Sequence, residues 1–147
     1  MRKLLSTPND VVLTVVRLVM GIVFFAHGAQ KMLGWYGGYG FHATMGSFEQ
    51  MGVPAALAFL AISAEFFGGL GLIVGFLTRI AAFGIMCNML VAIVTVHHVN
   101  GLFMNWFGNQ KGEGYEYHLL ALALGLILLV KGAGAVSIDR ALAGRVE

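Results

Sequence analysis

Four long apolar stretches constrain this chain more than any other feature: residues 11–33, 54–77, 80–98 and 115–136. Each approaches the roughly 20 residues a helix needs to cross a hydrocarbon core of about 30 Å. Helix is required because lipid cannot satisfy free backbone N–H and C=O groups. The stretches also lack the apolar–polar alternation of barrel strands. The expected fold is therefore all-α: a four-helix transmembrane bundle formed by residues 1–147 as a single membrane domain, with a short interfacial helix in its first outer loop. Composition agrees, since 59% of residues are hydrophobic and 11% charged, against about 25% charged in soluble domains. The formal charge of +2 is scattered along an apolar chain, which excludes the basic patch that nucleic-acid binding needs. The one cysteine, Cys87, excludes an intrachain disulfide or a CxxC redox pair, and a packed thiol is expected there.

Met1-Arg2-Lys3 ahead of an apolar run imitates a signal peptide, and Ala26-His27-Gly28 offers small residues at cleavage-like spacing. The run to Leu33 exceeds a signal-peptide core, so a retained helix is expected. Lys and Arg near the helix ends set the orientation. Arg2, Lys3, Arg79, Lys131, Arg140 and Arg145 fall on one side and only Lys31 and Lys111 on the other. The first side is expected to be cytoplasmic and to carry both termini. In the first outer loop, Phe41, Met45, Phe48 and Met51 recur at roughly helical spacing, as an interfacial helix would have them. The second outer loop sets Phe103, Trp106 and Phe107 among polar residues. Trp35, Tyr36, Tyr39, Trp106, Tyr115 and Tyr117 are expected to be interfacial anchors.

Ionisable groups within spanning segments carry the functional information, because each needs a partner or an aqueous cavity. Arg17, Gly21, Phe24, Gly28 and Lys31 share one stripe of the first helix, with His27 at its edge. Glu65 shares a face of the second helix with Ala58, Ala61, Gly68 and Gly75, small residues that permit close helix approach. Gly71 and Gly75 form a GxxxG spacing of the same meaning. With 1.5 Å of rise per residue, Arg17 and Glu65 come within a few ångströms of the same height, about mid-membrane, which predicts an Arg17–Glu65 ion pair. The third helix is expected to add Asn88, with Thr95 and His98 on the same face, and the fourth to add His118.

All five histidines, His27, His42, His97, His98 and His118, fall in the outer half or outer loops of this topology, joined by Glu49, Glu113 and Glu116. Imidazole and carboxylate can relay protons or ligate a metal or haem. His97 and His98 are candidate metal ligands, although adjacent residues diverge around a helix and no HExxH-type spacing accompanies them. Nucleophilic and phosphate chemistry lack support: no serine has a nucleophile-elbow context, and Gly68-Gly69-Leu70-Gly71 follows no strand.

Several separated motifs resemble the DoxX family of small bacterial membrane proteins. They are Arg17-Leu18 leading to Gly21, Phe24-Phe25-Ala26-His27-Gly28-Ala29-Gln30-Lys31, Gly52-Val53-Pro54, Glu65-Phe66-Phe67-Gly68-Gly69, Gly75-Phe76-Leu77-Thr78-Arg79-Ile80-Ala81-Ala82, Glu116-Tyr117 and Gly132 to Asp139. The resemblance implies a four-helix protein of the bacterial cytoplasmic (inner) membrane. It also implies an association with quinol oxidation and thiosulfate:quinone oxidoreduction, and in some members with thiol or oxidative-stress systems. Arg17, His27, Lys31, Glu65 and Glu116 match family-like polar positions.

The expected function is thus a redox-associated subunit binding quinone or quinol at an outer-side polar cluster. Glu65 and His27 would handle protons, and Arg17, Lys31, Asn88, Glu116 and His118 would bind the ligand. The competing readings are a metal- or haem-binding protein using the outer histidines, and a non-catalytic scaffold that assembles a partner. Expected partners are the lipid bilayer and a redox protein or a second copy of the chain.

Overall fold

A computed structural model describes residues 2–144. Arg145, counted above among the basic residues of one side, lies outside the described residues, as does the side chain of Arg2. Among the described residues the protein is all-helical, with no strand. A short α1 (Arg2–Leu5) precedes α2 (Val11–Leu33), a 3₁₀ turn at Trp35–Gly37, α3 (Gly40–Gln50) and α4 (Ala55–Val74). Then come α5 (Thr78–Ala92), α6 (Glu116–Lys131) and α7 (Ile138–Ala143). A π-helical segment, Ile93–His97, and a 3₁₀ turn, His98–Asn100, prolong α5.

Local chemistry sets these boundaries. The Asp10 carboxylate accepts from Val12 N at 2.8 Å and Leu13 N at 3.2 Å, satisfying donors that the first turn of α2 leaves free. Gly34, at φ 74°, ends α2 in the left-handed conformation that glycine adopts without steric cost. Pro54 opens α4.

Three helices are long and apolar enough to cross a membrane: Val11–Leu33, Ala55–Val74 and Thr78–Asn100. The expected fourth span is the exception. Its regular helix, α6, has 16 residues, because Gly132 and Gly134, with φ of 91° and 85°, turn the backbone off the helical path. Large apolar side chains point outward all round, among them Val12, Ile22, Leu60, Phe67, Phe83 and Leu120. Lipid is the solvent that accepts such a surface.

Helix α2 lies on α4, α4 on α5 and α5 on α6, with α6 closing back on α2. The central cluster includes Met20, Phe24, Leu72, Ile85, Met89 and Leu128. Register between α2 and α4 is set by glycines: a Cβ on Gly21 would stand 2.8 Å from Ile73 N, and one on Gly28 would collide with the backbone of Glu65 and Phe66. Gly69 meets Phe24 and Phe25 in the same way. The GxxxG pair makes its close contacts with different partners: Gly71 faces the Phe76 carbonyl and Ala81 of α5, whereas Gly75, at φ 69°, ends α4 against Ser137 and Arg17. Cys87 also departs from expectation: it is exposed on the outer face of α5, not packed.

Candidate functional site

Two polar assemblies are built between the helices, one at each end. At the first, Arg17 is 2% exposed and reaches out from α2 to four carbonyls. Its Nε donates to Ala133 O at 2.9 Å, Nη1 to Ile73 O at 2.7 Å and to Leu72 O, and Nη2 to Val136 O at 2.5 Å. The planar five-donor guanidinium suits this task. Leu72 and Ile73 lie in the last turn of α4, where carbonyls lack helical partners. Asp139 completes the assembly by accepting from Leu77 N at 2.7 Å and Thr78 N at 2.9 Å. These two bonds hold Leu77 at φ 50°, a left-handed conformation costly for a non-glycine residue. Arg79 does for α6 what Arg17 does for α4, donating to Leu129 O, to Val130 O at 2.6 Å and to Ser6 O at 3.0 Å.

The expected Arg17–Glu65 pair is therefore absent, and its physical cause is the stagger of the helices. Helices that both began at the membrane boundary would bring Arg17 and Glu65 to nearly one height. Gly21 instead faces Leu72 and Ile73 while Gly28 faces Glu65 and Phe66, which brings Lys31 level with Glu65. Arg17 lies fourteen residues earlier on α2, about 21 Å away along the axis.

The second assembly centres on Glu65, which is 3% exposed. Lys31 Nζ donates to Oε1 at 2.6 Å and Oε2 at 2.5 Å, and Asn88 Nδ2 donates to Oε1 at 2.8 Å. Three helices thus converge on one carboxylate. Helix α6 adds Tyr117, whose hydroxyl lies within electrostatic reach of Glu65, with His118 beside it. Tyr117 packs against Phe24 with ring centroids 6.3 Å apart, against His27 at 6.4 Å and against His118 at 5.5 Å. It belongs to this site and not to the interfacial anchors expected from sequence. The Tyr117 hydroxyl and, on the adjoining ring, His118 Nδ1 are buried with no hydrogen-bond partner among the described residues, which buried polar atoms seldom are.

The structure thus gathers Lys31, Glu65 and Asn88, with His118 one ring away against Tyr117 and His27 exposed at the edge. It leaves Arg17 at the other end and commits Glu116 to the second long loop, where Oε1 accepts from Met104 N at 2.9 Å and Trp106 Nε1 at 3.1 Å. His97 lies on His118, ring centroids 4.1 Å apart, whereas His98 and Thr95 are exposed. Asn88 was expected to share a face with Thr95 and His98; the π segment explains the change, because its wider turns rotate everything beyond it. No trio of His, Cys, Asp or Glu among the described residues is arranged to hold a metal ion.

Fold and site together define a membrane-integral helical protein with an ionic cluster buried between its helices. The DoxX family model matches residues 12–98, and the chain belongs to that family. It is 35% identical over 136 residues to the inner membrane protein YqjF of Escherichia coli, covering 91% of this chain and 94% of YqjF. It is 34% identical over 137 residues to the uncharacterized membrane protein Rv3486 of Mycobacterium tuberculosis, covering 88% and 80%. CatD of Bacillus subtilis, whose name carries a suggested oxidoreductase activity, is 30% identical over 112 residues, covering 76% and 74%. No solved structure matches.

Proposed function

We propose that this chain is a cytoplasmic-membrane subunit that binds a quinone or quinol beside Glu65 and handles its protons, while a partner redox protein takes or supplies the electrons. One observation carries the reading: Tyr117 Oη is buried without a partner among the described residues near a carboxylate already held by Lys31 and Asn88, with the unpartnered His118 Nδ1 on the adjoining ring. These groups fit a flat apolar ligand with two oxygen atoms. Tyr117 Oη can donate to a carbonyl oxygen, and Lys31 can lend it positive charge. His118 and the exposed His27 can accept or supply a proton, and Glu65 holds the negative charge that keeps Lys31 in place. When bound, the ligand supplies two-electron, two-proton chemistry. The link between the CatD name and oxidoreduction supports the same class.

In this reading α6 is the fourth span. Its 16 residues rise about 24 Å, and the backbone beyond Lys131 stays packed against α2 through Ala135 N and Asp10 O at 2.9 Å. The Arg17 end, richer in Lys and Arg, faces the cytoplasm and carries both termini. The Glu65 end, with α3 in the interface, faces outward. The exposed Phe103, Trp106 and Phe107 of the second long loop favour a scaffold as the second reading, in which that loop recruits a partner.

Mass spectrometry of lipids and small molecules retained by gently purified protein tests the proposal. Wild type should retain quinone near one per chain, and Glu65→Gln and Tyr117→Phe should lose most of it. Retention unaffected by both changes would sink the site. Loss of cellular function on replacing residues 103–107, with quinone retention intact, would favour the scaffold.

A further inference from the structure

The second buried assembly has an edge that the quinone reading does not use. His97 Nδ1 lies 2.8 Å from the backbone carbonyl of Glu113. A carbonyl only accepts, so Nδ1 carries the proton and neutral His97 presents its Nε2 lone pair elsewhere. His97 is half-buried, with its ring against His118, whose Nδ1 is buried and unpartnered. His118 in turn touches Tyr117, at a ring separation of 5.5 Å.

The backbone is shaped for this contact. In an unbroken α-helix, the nine residues from Asn88 to His97 turn by about 900°, which places them on opposite faces. The π segment Ile93–His97 carries more residues per turn and recovers roughly a quarter turn, which aims His97 at α6 and sends His98 outward. Such segments cluster at functional sites.

We propose that His97 and His118 form a proton relay between water at the loop end and the Glu65 site, with His97 as the member that meets water. A proton taken up at His97 Nε2 makes an imidazolium. Rotation of the ring then hands that proton to His118 Nδ1 and returns His97 to its neutral Nδ1–H form, and His118, which carries its own proton on Nε2, releases that one on the bundle side, so one proton enters and one leaves with no change in electrons. Other groups at this edge are committed elsewhere: the Glu113 carboxylate accepts from Asn105 N at 2.6 Å, and Glu116 holds Met104 and Trp106. The biological use of the relay rests on the proton-handling reading above, but its existence is measurable separately.

Nitrogen NMR of ¹⁵N-histidine-labelled full-length protein in lipid nanodiscs is the test. Neutral His97 should show the Nδ1–H tautomer. Exchange of the His118 imidazole proton with water should slow by about tenfold or more in His97→Phe, which keeps a ring against His118, and stay unchanged in His98→Phe. His97→Gln, which cannot carry a proton, should slow it likewise and serves if the Phe variant does not fold. Unchanged His118 exchange in the folded variants, or an Nε2–H tautomer at His97, would overturn the relay. Quinone content of the same samples separates the two ideas. Slowed exchange without bound quinone in wild type removes the quinone and keeps the relay, whereas quinone retained with unchanged exchange removes the relay alone.

Discussion

Glu65 and Arg17 show how two buried charges in one bundle are satisfied by different means. Glu65 is paired with an opposite charge and an amide. Arg17 is solvated almost entirely by backbone carbonyls, in effect a cap for α4 and for the turn after α6. The two therefore do not depend on each other. A double-mutant cycle on unfolding in detergent should show this. Lys31→Met alone leaves Glu65 buried and unpaired and should cost about 3–5 kcal/mol, with Lys31→Met and Glu65→Leu together costing less than the sum of the single changes. Arg17→Met and Glu65→Leu should add within about 0.5 kcal/mol. Strong coupling between Arg17 and Glu65 would contradict the arrangement. The sequence singled out Lys31, Glu65, Asn88 and His118, because an ionisable or amide group in an apolar run is conspicuous. It did not reveal which cation meets the carboxylate, since charge pattern carries no information on helix stagger. Asp139 entered only as the last residue of a family-like stretch, with no role assigned: outside the apolar runs a carboxylate is unremarkable, and its partners are backbone N–H groups that no side-chain pattern announces.

At the scale of elements, close contact between α2 and α4 sets that stagger. Gly21, Gly28 and Gly69 bring two backbones together where any Cβ would collide with main-chain atoms. Gly28→Ala should push the helices apart just where Lys31 meets Glu65, destabilising the protein by about 1–3 kcal/mol and weakening quinone retention with it. Gly46→Ala, whose Cβ would meet nothing within 4 Å, should do neither; equal thermal midpoints for the two variants would remove the glycines from the account. The apolar run 11–33 coincides with α2, whose ends the structure shows to be fixed by Asp10 and Gly34. The end of α5 was not legible in the sequence. Nothing in Ile93-Val94-Thr95-Val96-His97 distinguishes a π turn from an α turn by composition. The widening is a tertiary outcome that only packing against α6 reveals, and it exchanged His98 for His97 at the site.

Across the whole molecule the polar groups are divided between two tasks. At the Arg17 end the charged groups are spent on backbone: Arg17 and Asp139 bind main-chain atoms, and Gly75, Asp139 and Thr78 lock α4, α5 and α7 together. The Glu65 end holds an ion pair beside unpartnered atoms, under a loop ordered by Glu113 and Glu116. A buried ion pair beside unpartnered polar atoms suits a ligand that arrives through lipid and exchanges protons with water. Photo-crosslinking with a photoactivatable quinone analogue, followed by peptide mapping, tests this division most directly. Adducts should concentrate on residues 24–31 and 115–122 and diminish in Glu65→Gln. Labelling confined to the outward faces around Phe67 and Leu120, and indifferent to Glu65, would contradict it.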